Sequence, residues 1–339
     1  MIKSLSEIAQ VTMGQSPKSE FYNSNNNGLP FLQGRTTFGD KYPTFDTWTT
    51  SWNKEAFSGD ILFTVRAPVG DLNIANCKIA IGRGLAAIHP TNVNNKYLYY
   101  LLLSNKSKFV NTSSGTIFDS INKNALESIK LNVHDSTIQN HIVNTIGTID
   151  DLIENKTKII NKLKDISTSL YLIYKQKESS NIKKLGDNCD IKTGNLNADA
   201  NVENGKYKFF TCGSSDLLID DYKFEGPSII IAGNGEINVK YYDGKFNAYQ
   251  RTYVLQPKEN LYLFLKECEL SVNVLKNNSQ GSVIKFITKS MLENIEIRIN
   301  DNSEIINNKI KSIYESISST QLEINKLAEI KSLLLSKYF

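Results

Sequence analysis

The chain has 339 residues, the length of about two domains, and its 40% hydrophobic and 22% charged content is that of folded globular protein rather than disordered chain. The formal net charge of +4 is too small on its own to argue for a polyanionic partner. No apolar run approaches the roughly 18–20 residues of a membrane span, and "MIKSLSEIAQ" lacks a basic-then-apolar leader, so a cytoplasmic chain without a membrane partner is expected.

In chain order, "IKSLSEIAQVTMG" (2–14) predicts a strand and turn, and the Asn-rich stretch after it, through "FLQGRTTFGDKYPTFDTWTT", is turn-rich and polar. "FSGDILFTV" (57–65) holds an apolar β-branched strand, "VGDLNI" (69–74) and "IGRGLAAIHP" (81–90) continue a sheet, and "YLYYLLL" (97–103) predicts a buried helix within about 95–109. A glycine loop, "SSGT", precedes a closing strand, "SIKLNV". From 142 on, Ile142, Ile146, Ile149, Ile153, Ile160, Leu163, Ile166 and Leu170 recur at three- and four-residue spacing, the stripe of one long helix.

The chain then repeats itself. "IKKLGDNCDIKTG" (182–194) matches the opening at an offset of 180. "FEGPSIIIA" (224–232), "NGEINV" (234–239) and "AYQRTYVLQP" (248–257) pair with the central strands, with a D-G turn at Asp243–Gly244. A second helix is expected near 260–276, and "SQGSVIKFITKSMLENIEIRI" aligns with "SSGTIFDSINKNALESIKLNV" at an offset of 166. Ile306, Ile310, Ile313, Ile317, Ile324, Leu327, Ile330 and Leu334 repeat the stripe at 164, and the polar Lys156 and Thr320 interrupt it at the same place. A stripe on about forty residues, roughly 60 Å at 1.5 Å each, needs a cover. The other copy's stripe is the natural one, and globular–helix–globular–helix order favours antiparallel pairing.

The predicted class is α+β: two mixed α/β domains, each with a twisted, largely antiparallel sheet, separated by two long helices paired as an antiparallel coiled coil in an internal tandem repeat. The expected bounds are 1–135, 136–179, 180–300 and 301–339.

Motifs for catalysis are missing. Cys77, Cys189, Cys212 and Cys268 are scattered, which suits reduced thiols and no metal site. His89, His134 and His141 all lie in the first copy, so no His-based active site belongs to the repeated unit. "GRGLAA" (82–87) resembles a dinucleotide turn, but the first carboxylate after it is Asp119, too late for the ribose hydroxyls. There is no phosphate loop ending G-K-[ST] and no pair of adjacent prolines, as an adenine methyltransferase motif would have.

What recurs is a set of polar donors beside turns: Arg35 with Thr36 and Thr37, Arg66, Asn73, Lys78 and Arg83 in the first copy, and Asn234, Lys240, Lys245, Gln250 and Arg251 in the second. Arg and Lys suit guanine acceptors or phosphate, and Asn and Gln suit adenine. No Asp or Glu occurs in 72–118 or 270–292, so each copy has a local basic zone, either a duplex-facing surface or a solvated face. Lys108 and Lys285, next to the Gly115 and Gly281 loops, are candidates for phosphate.

Taken together, "IKSLSEIAQVTMGQSP", "GDILFTVRAPVGDLNIANCKIAIGRGLAAIHP" and "SIKLNV", repeated as "IKKLGDNCDIKTGN", "GPSIIIAGNGEINVKYYDGKFNAYQRTYVLQP" and "NIEIRI", resemble the specificity subunit of Type I restriction–modification enzymes. The duplicated order carries the resemblance more than any single motif. It implies that each globular half is a target recognition domain reading one half of a split double-stranded DNA sequence. The helices would be spacers that set the gap and dock two methyltransferase (modification) subunits, with restriction subunits completing the complex. It implies a non-catalytic chain that binds no cofactor itself, S-adenosylmethionine, ATP and Mg2+ residing on its partners. The stripe residues through Leu163 and Leu327 are then both pairing and docking positions. Two departures stand out: the chain is short for the family, and Pro227 replaces the acidic residue of the "GD" pair. A coiled-coil scaffold with two protein-binding heads, or the specificity part of a Type IIB-like system, remains the alternative.

Overall fold

The computed structural model describes residues 1–113, 120–176, 181–213, 215, 217–277 and 286–339. They form two compact units, Met1–Asn155 with Glu323–Phe339, and Lys156–Leu322. Each holds one globular head and a part of both long helices, Ser136–Lys175 and Ser303–Tyr338. No described helix is long and apolar enough to cross a membrane.

The first head is built on a four-stranded antiparallel sheet in the order Ala9–Met13, Leu85–Pro90, Ile61–Thr64, Leu72–Ile74. Ile61 and Phe63 face one core with Leu98 and Leu101 of the helix Asn95–Ser104, while Leu62 faces a second core with Ile79 and Ile81. A strand covered on both faces reads as an unbroken apolar run, which is why "ILF" shows no alternation. Behind it lies a sheet of five short strands, in which Leu29–Leu32 runs parallel to Ile79–Ile81. The closing strand Lys130–Asn132 pairs with Ile2–Ser4 in a separate two-stranded ladder, so the head's ends are tied together. The predicted helix over 95–109 breaks at Asn105, whose Nδ2 donates to the Leu101 carbonyl.

The second head repeats this plan. Cys189–Thr193, Thr252–Pro257, Ser228–Ala232 and Val239–Tyr242 form its main sheet, and Tyr207–Phe210 runs parallel to Lys245–Ala248 in the other. Asn181–Lys184 pairs with Glu296–Ile299. The ladders correct the gap-free alignment of the central strand. Phe63 sits opposite Ala86 and Ile231 opposite Tyr253, so Phe63 corresponds to Ile231 and not to Ile230. Gly59 and Gly226 both turn with positive φ, 94° and 88°, but Pro227 and Ser228 then stand where the first head has Asp60 alone. The extra residue matters because a one-residue slip exchanges the two faces of a strand. It keeps Ile229 and Ile231 on the helix side.

The shared Gly14 and Gly194 mark a close backbone approach. A Cβ there would be driven into the carbonyl oxygen of Gly82 or Ala248. Gly194→Ala is therefore expected to cost about 1–3 kcal/mol or more through a displaced strand end, read as a lower thermal midpoint; an unchanged midpoint would contradict it.

Within the first unit the long helices run antiparallel: Lys331 pairs with Asp150 at 2.6 Å, and seven residues on, the Tyr338 hydroxyl meets His141 Nε2 at 2.9 Å. Within the second, the Tyr174 hydroxyl meets Ser303 Oγ at 2.6 Å, and Tyr314 bonds Ser167. The cover of the stripes differs from the expectation in part. Ile142 and Ile146 lie in the first head's core and Ile310 in the second's, so each stripe begins on a head rather than on its partner helix. Ile149, Ile153, Leu163, Ile313, Ile317, Ile324 and Leu327 are half-buried and Ile160 is buried, whereas Ile166 and Ile330 are about half exposed.

Polar anchors hold the helices to the heads. In the first unit Tyr100 donates to Asp150 at 2.7 Å and Lys41 pairs with Glu154 at 3.0 Å. In the second, Glu267, 4% exposed, accepts from Tyr171 at 2.6 Å, from Lys175 at 2.8 Å and from Ser271 at 3.0 Å.

Candidate nucleic-acid interface

In each head the chain passes five times through one corner, at the end of the main sheet. In the first head, Gly14 N donates to Leu85 O (2.8 Å), Gly82 N to Leu32 O (2.8 Å), Gly84 N to Gln33 O (3.0 Å), Val65 N to Gly84 O (3.0 Å) and Ile121 N to Val65 O (3.0 Å). The second head has Gly194 N to Thr252 O (3.3 Å), Tyr249 N to Phe210 O (2.9 Å), Gly233 N to Arg251 O (2.9 Å) and Ile287 N to Gly233 O (2.7 Å). Isolated bridges Arg66–Ser120 and Asn234–Phe286 complete the equivalence. Because backbone groups satisfy one another here, the side chains can turn outward. Arg35, Thr36, Arg66 and Arg83 do so in the first head and Gln250 and Arg251 in the second, with Asn234 half-buried beside them.

Other predicted positions lie elsewhere. Asn73 is fully buried and its Nδ2 donates to Gly39 O at 2.7 Å, so it holds the fold and offers nothing to a ligand. Lys78 and Lys245 occupy equivalent places at the far ends of the strands that lead into the corners. Lys78 pairs with Glu55 at 3.0 Å above the Trp52 and Phe57 rings, and Lys245 lies 4.6 Å over the Tyr222 ring near Glu225. Lys240 sits over the Phe210 ring at 5.7 Å, and Lys108 is exposed on the helix Lys106–Ser113. Lys285 and the Gly115 and Gly281 loops fall outside the described residues.

Several corner residues escaped the sequence reading: Gln15, Ser16 and Gln33 in the first head and Asn195 in the second. The signal available for Gln15, Ser16 and Asn195 was their position just after the shared Gly14 and Gly194; Gln33 carried none. Ser16 Oγ accepts from Arg83 N at 3.1 Å and fixes the Arg83 turn. Also unforeseen is Asp71, whose two oxygens take Arg35 Nη1 at 2.6 Å and Lys106 Nζ. Burial works against its ionisation, but hydrogen bonds and charge from Lys106 and Arg35 outweigh that and hold the carboxyl below the usual aspartate range.

Among the described residues, nothing resembling a catalytic centre accompanies these corners. All four cysteines are free. Burial pushes the Cys189 thiol up to about 12, and Cys268 upward too, the opposite of an activated nucleophile. The histidines are spent on Asp60 (2.7 Å from His89), Tyr97 (2.9 Å from His134) and Tyr338. Among the described residues no group of three or more His, Cys, Asp or Glu could hold a metal.

The family model described as "Type I restriction modification DNA specificity domain" matches residues 1–165 and again 177–333. The chain belongs to this family. Among the specificity proteins similar to it is one described as the MjaX specificity subunit of a type I restriction enzyme in Methanocaldococcus jannaschii, 44% identical over 151 residues, covering 44% of this chain and 36% of that protein. The type I restriction enzyme EcoDI specificity subunit of Escherichia coli is 34% identical over 153 residues, 43% of this chain and 34% of its own length. The chain thus spans about a third of the length of these two curated relatives in the matched region. The crystal structure of a Type I restriction–modification S subunit from M. genitalium superposes over 100% of this chain and 96% of its own, with a TM-score of 0.61 at 17% identity. That likeness, spanning both heads and both long helices, is one of fold.

Proposed function

We propose that this family member is the DNA-binding specificity subunit of a Type I restriction–modification complex, each head reading one half of a split target. The observation that carries the reading is the corner, assembled by four equivalent backbone hydrogen bonds in each head and bearing Arg35, Arg66 and Arg83 in one and Asn234, Gln250 and Arg251 in the other. These are the side chains that discriminate bases in the major groove. Unequal corner chemistry at the two ends of one chain suits a target whose halves differ.

The chain itself does no covalent chemistry in this reading. S-adenosylmethionine, ATP and Mg2+ belong to the modification and restriction subunits, and the complex works in the cytoplasm. Two modification subunits dock on the helices, though not through the seam. Ile159, Ile166 and Ile173 recur every seven residues on the first long helix, 49%, 50% and 63% exposed, and an outward apolar stripe of that period suits a partner helix.

The test is DNA binding and target choice by the complex carrying Arg83→Ala or Arg251→Ala. A lost base contact is worth about 1–3 kcal/mol, so affinity for the cognate site should fall roughly 5- to 150-fold. Each variant should relax a different half of the target. If both leave affinity and target choice unchanged, the reading fails, and a protein-binding scaffold takes its place.

A further inference from the structure

We infer that Asp71 is a positioning residue that presets Arg35 for reading the first half of the target. The inference rests on the proposed DNA-reading role of the first head. Arg35 stands on the 33–37 turn with its side chain 55% exposed, and a long unrestrained side chain there would lose much rotamer freedom on meeting a base. Asp71 removes that freedom beforehand. Its own side chain is only 19% exposed and the backbone that carries it is fixed, because Asp71 N donates to Thr64 Oγ1 at 2.8 Å and Thr64 N donates to Asp71 O at 3.0 Å. Gly70, with φ +92°, makes the turn that delivers it.

The carboxylate then divides its oxygens between two elements 35 and 36 residues away, Oδ1 to Lys106 and Oδ2 to Arg35. Arg35 spends one terminal nitrogen on this contact, and a guanidinium has five N–H donors in a fixed fork. The three charges line an open groove of about 640 Å3 together with Thr36, Tyr99 and Leu103. Oriented this way, the fork is preorganised for paired acceptors rather than swept across the phosphates.

Among the described residues the device is confined to one head. Ala232 N donates to Asn238 O at 3.0 Å as Thr64 N does to Asp71 O, so Asn238 holds the corresponding place in the second head. It is neutral, and its Nδ2 is turned to the Glu236 carbonyl at 2.6 Å. A loss of Asp71 should therefore be felt in one half of the target only.

The experiment compares Asp71→Asn, Asp71→Glu and Arg35→Ala in the chain assembled with its modification subunits. It reads methylation of each half-site variant, and binding to non-specific duplex across a salt series. Asp71→Asn is expected to reduce discrimination in the first half several-fold and leave the second untouched. Non-specific affinity should rise at the same time, with a salt dependence steeper by up to about 0.9 for the charge released. Better binding with poorer choice is not an outcome of structural damage. Asp71→Glu keeps the charge but displaces it, and should relax the first half without that gain. Should the Asn variant fail to fold, the Glu variant decides alone: first-half relaxation supports the inference and unchanged selectivity overturns it. If Arg35→Ala alters the first half while both Asp71 variants leave it intact, Asp71 does not position Arg35. If Arg35→Ala changes nothing either, the premise that the first head reads through Arg35 falls with it.

Discussion

Exchanging residues 1–135 for the first head of another family member is expected to change one half of the methylated sequence and leave the other half as it was. The expectation follows from how the head closes. Its first strand, Ile2–Ser4, pairs with its last, Lys130–Asn132, and Leu5, Ile8, Leu126 and Leu131 lie in the same core. Both ends of the exchanged piece are thus fixed by the piece itself. What the junction must preserve is the seat for Ile142 and Ile146 and for Leu334 and Phe339, which pack on that core from the long helices. The measurement is a map of methylated bases in cells carrying the parental or exchanged chain with its modification subunit. A change in both halves, or in neither, would sink the idea that the corners read independently.

The largest stability effect is expected from Glu269→Ala in the second unit. Lys266 is 2% exposed, and the Glu269 carboxylate is its ion-pair partner. Removing it strands an ammonium away from water, which costs about 3–5 kcal/mol when one partner of a buried pair is lost. Glu269 also accepts from the Tyr314 hydroxyl at 2.8 Å, so the same change loosens the second long helix from the head. Burial first, then the Glu269 charge, drives the Tyr314 hydroxyl's pKa upward and keeps it a donor. By contrast, the double change Lys266→Met with Glu269→Leu removes the desolvation penalty along with the attraction, and should cost only the lost Tyr314 hydrogen bond, about 1 kcal/mol. Urea unfolding of the three chains checks this. A single-variant loss below about 1 kcal/mol, or a double variant as damaged as the single, would contradict it.

Much of the fold was legible because the repeat is enforced by packing. Ile121 and Ile287, Leu126 and Leu292, and Gly14 and Gly194 recur because each fills a core or admits a crossing backbone. The central register was not, since Pro227–Ser228 inserts a residue just where the two apolar runs look alike in either alignment. Nor was the second sheet of the first head, whose strands Tyr22–Asn23, Trp48–Thr49 and Glu55–Ala56 are two residues long and carry no periodicity. The Asp243–Gly244 turn shows a related limit: the strands on either side of it belong to different sheets.

At the corners, Arg83, Gln250 and Arg251 were readable as polar residues beside a turn in a repeated unit. Lys78 and Lys245 look the same in sequence, because the rings beneath them and the carboxylates beside them come from segments 20 or more residues away. Asn73 misleads for a different reason, being an amide on a short edge strand that happens to face inward. Asp71 was invisible as a partner of Arg35 because only the fold brings a turn, a strand end and a helix start to one carboxylate.

The division of the long helices between the units also sets an order for the chain's birth on the ribosome. Phe339 packs on the rings of Tyr97 and His134, with centroids 5.7 and 5.6 Å away, and Leu334 and Leu335 cover the same core. The first unit therefore cannot be finished until Glu323–Phe339 has been made. At roughly 5–20 residues per second, the first head waits on the order of ten to thirty seconds with part of its apolar surface uncovered while the second head is synthesised. A segment made after the second head seals the head made before it.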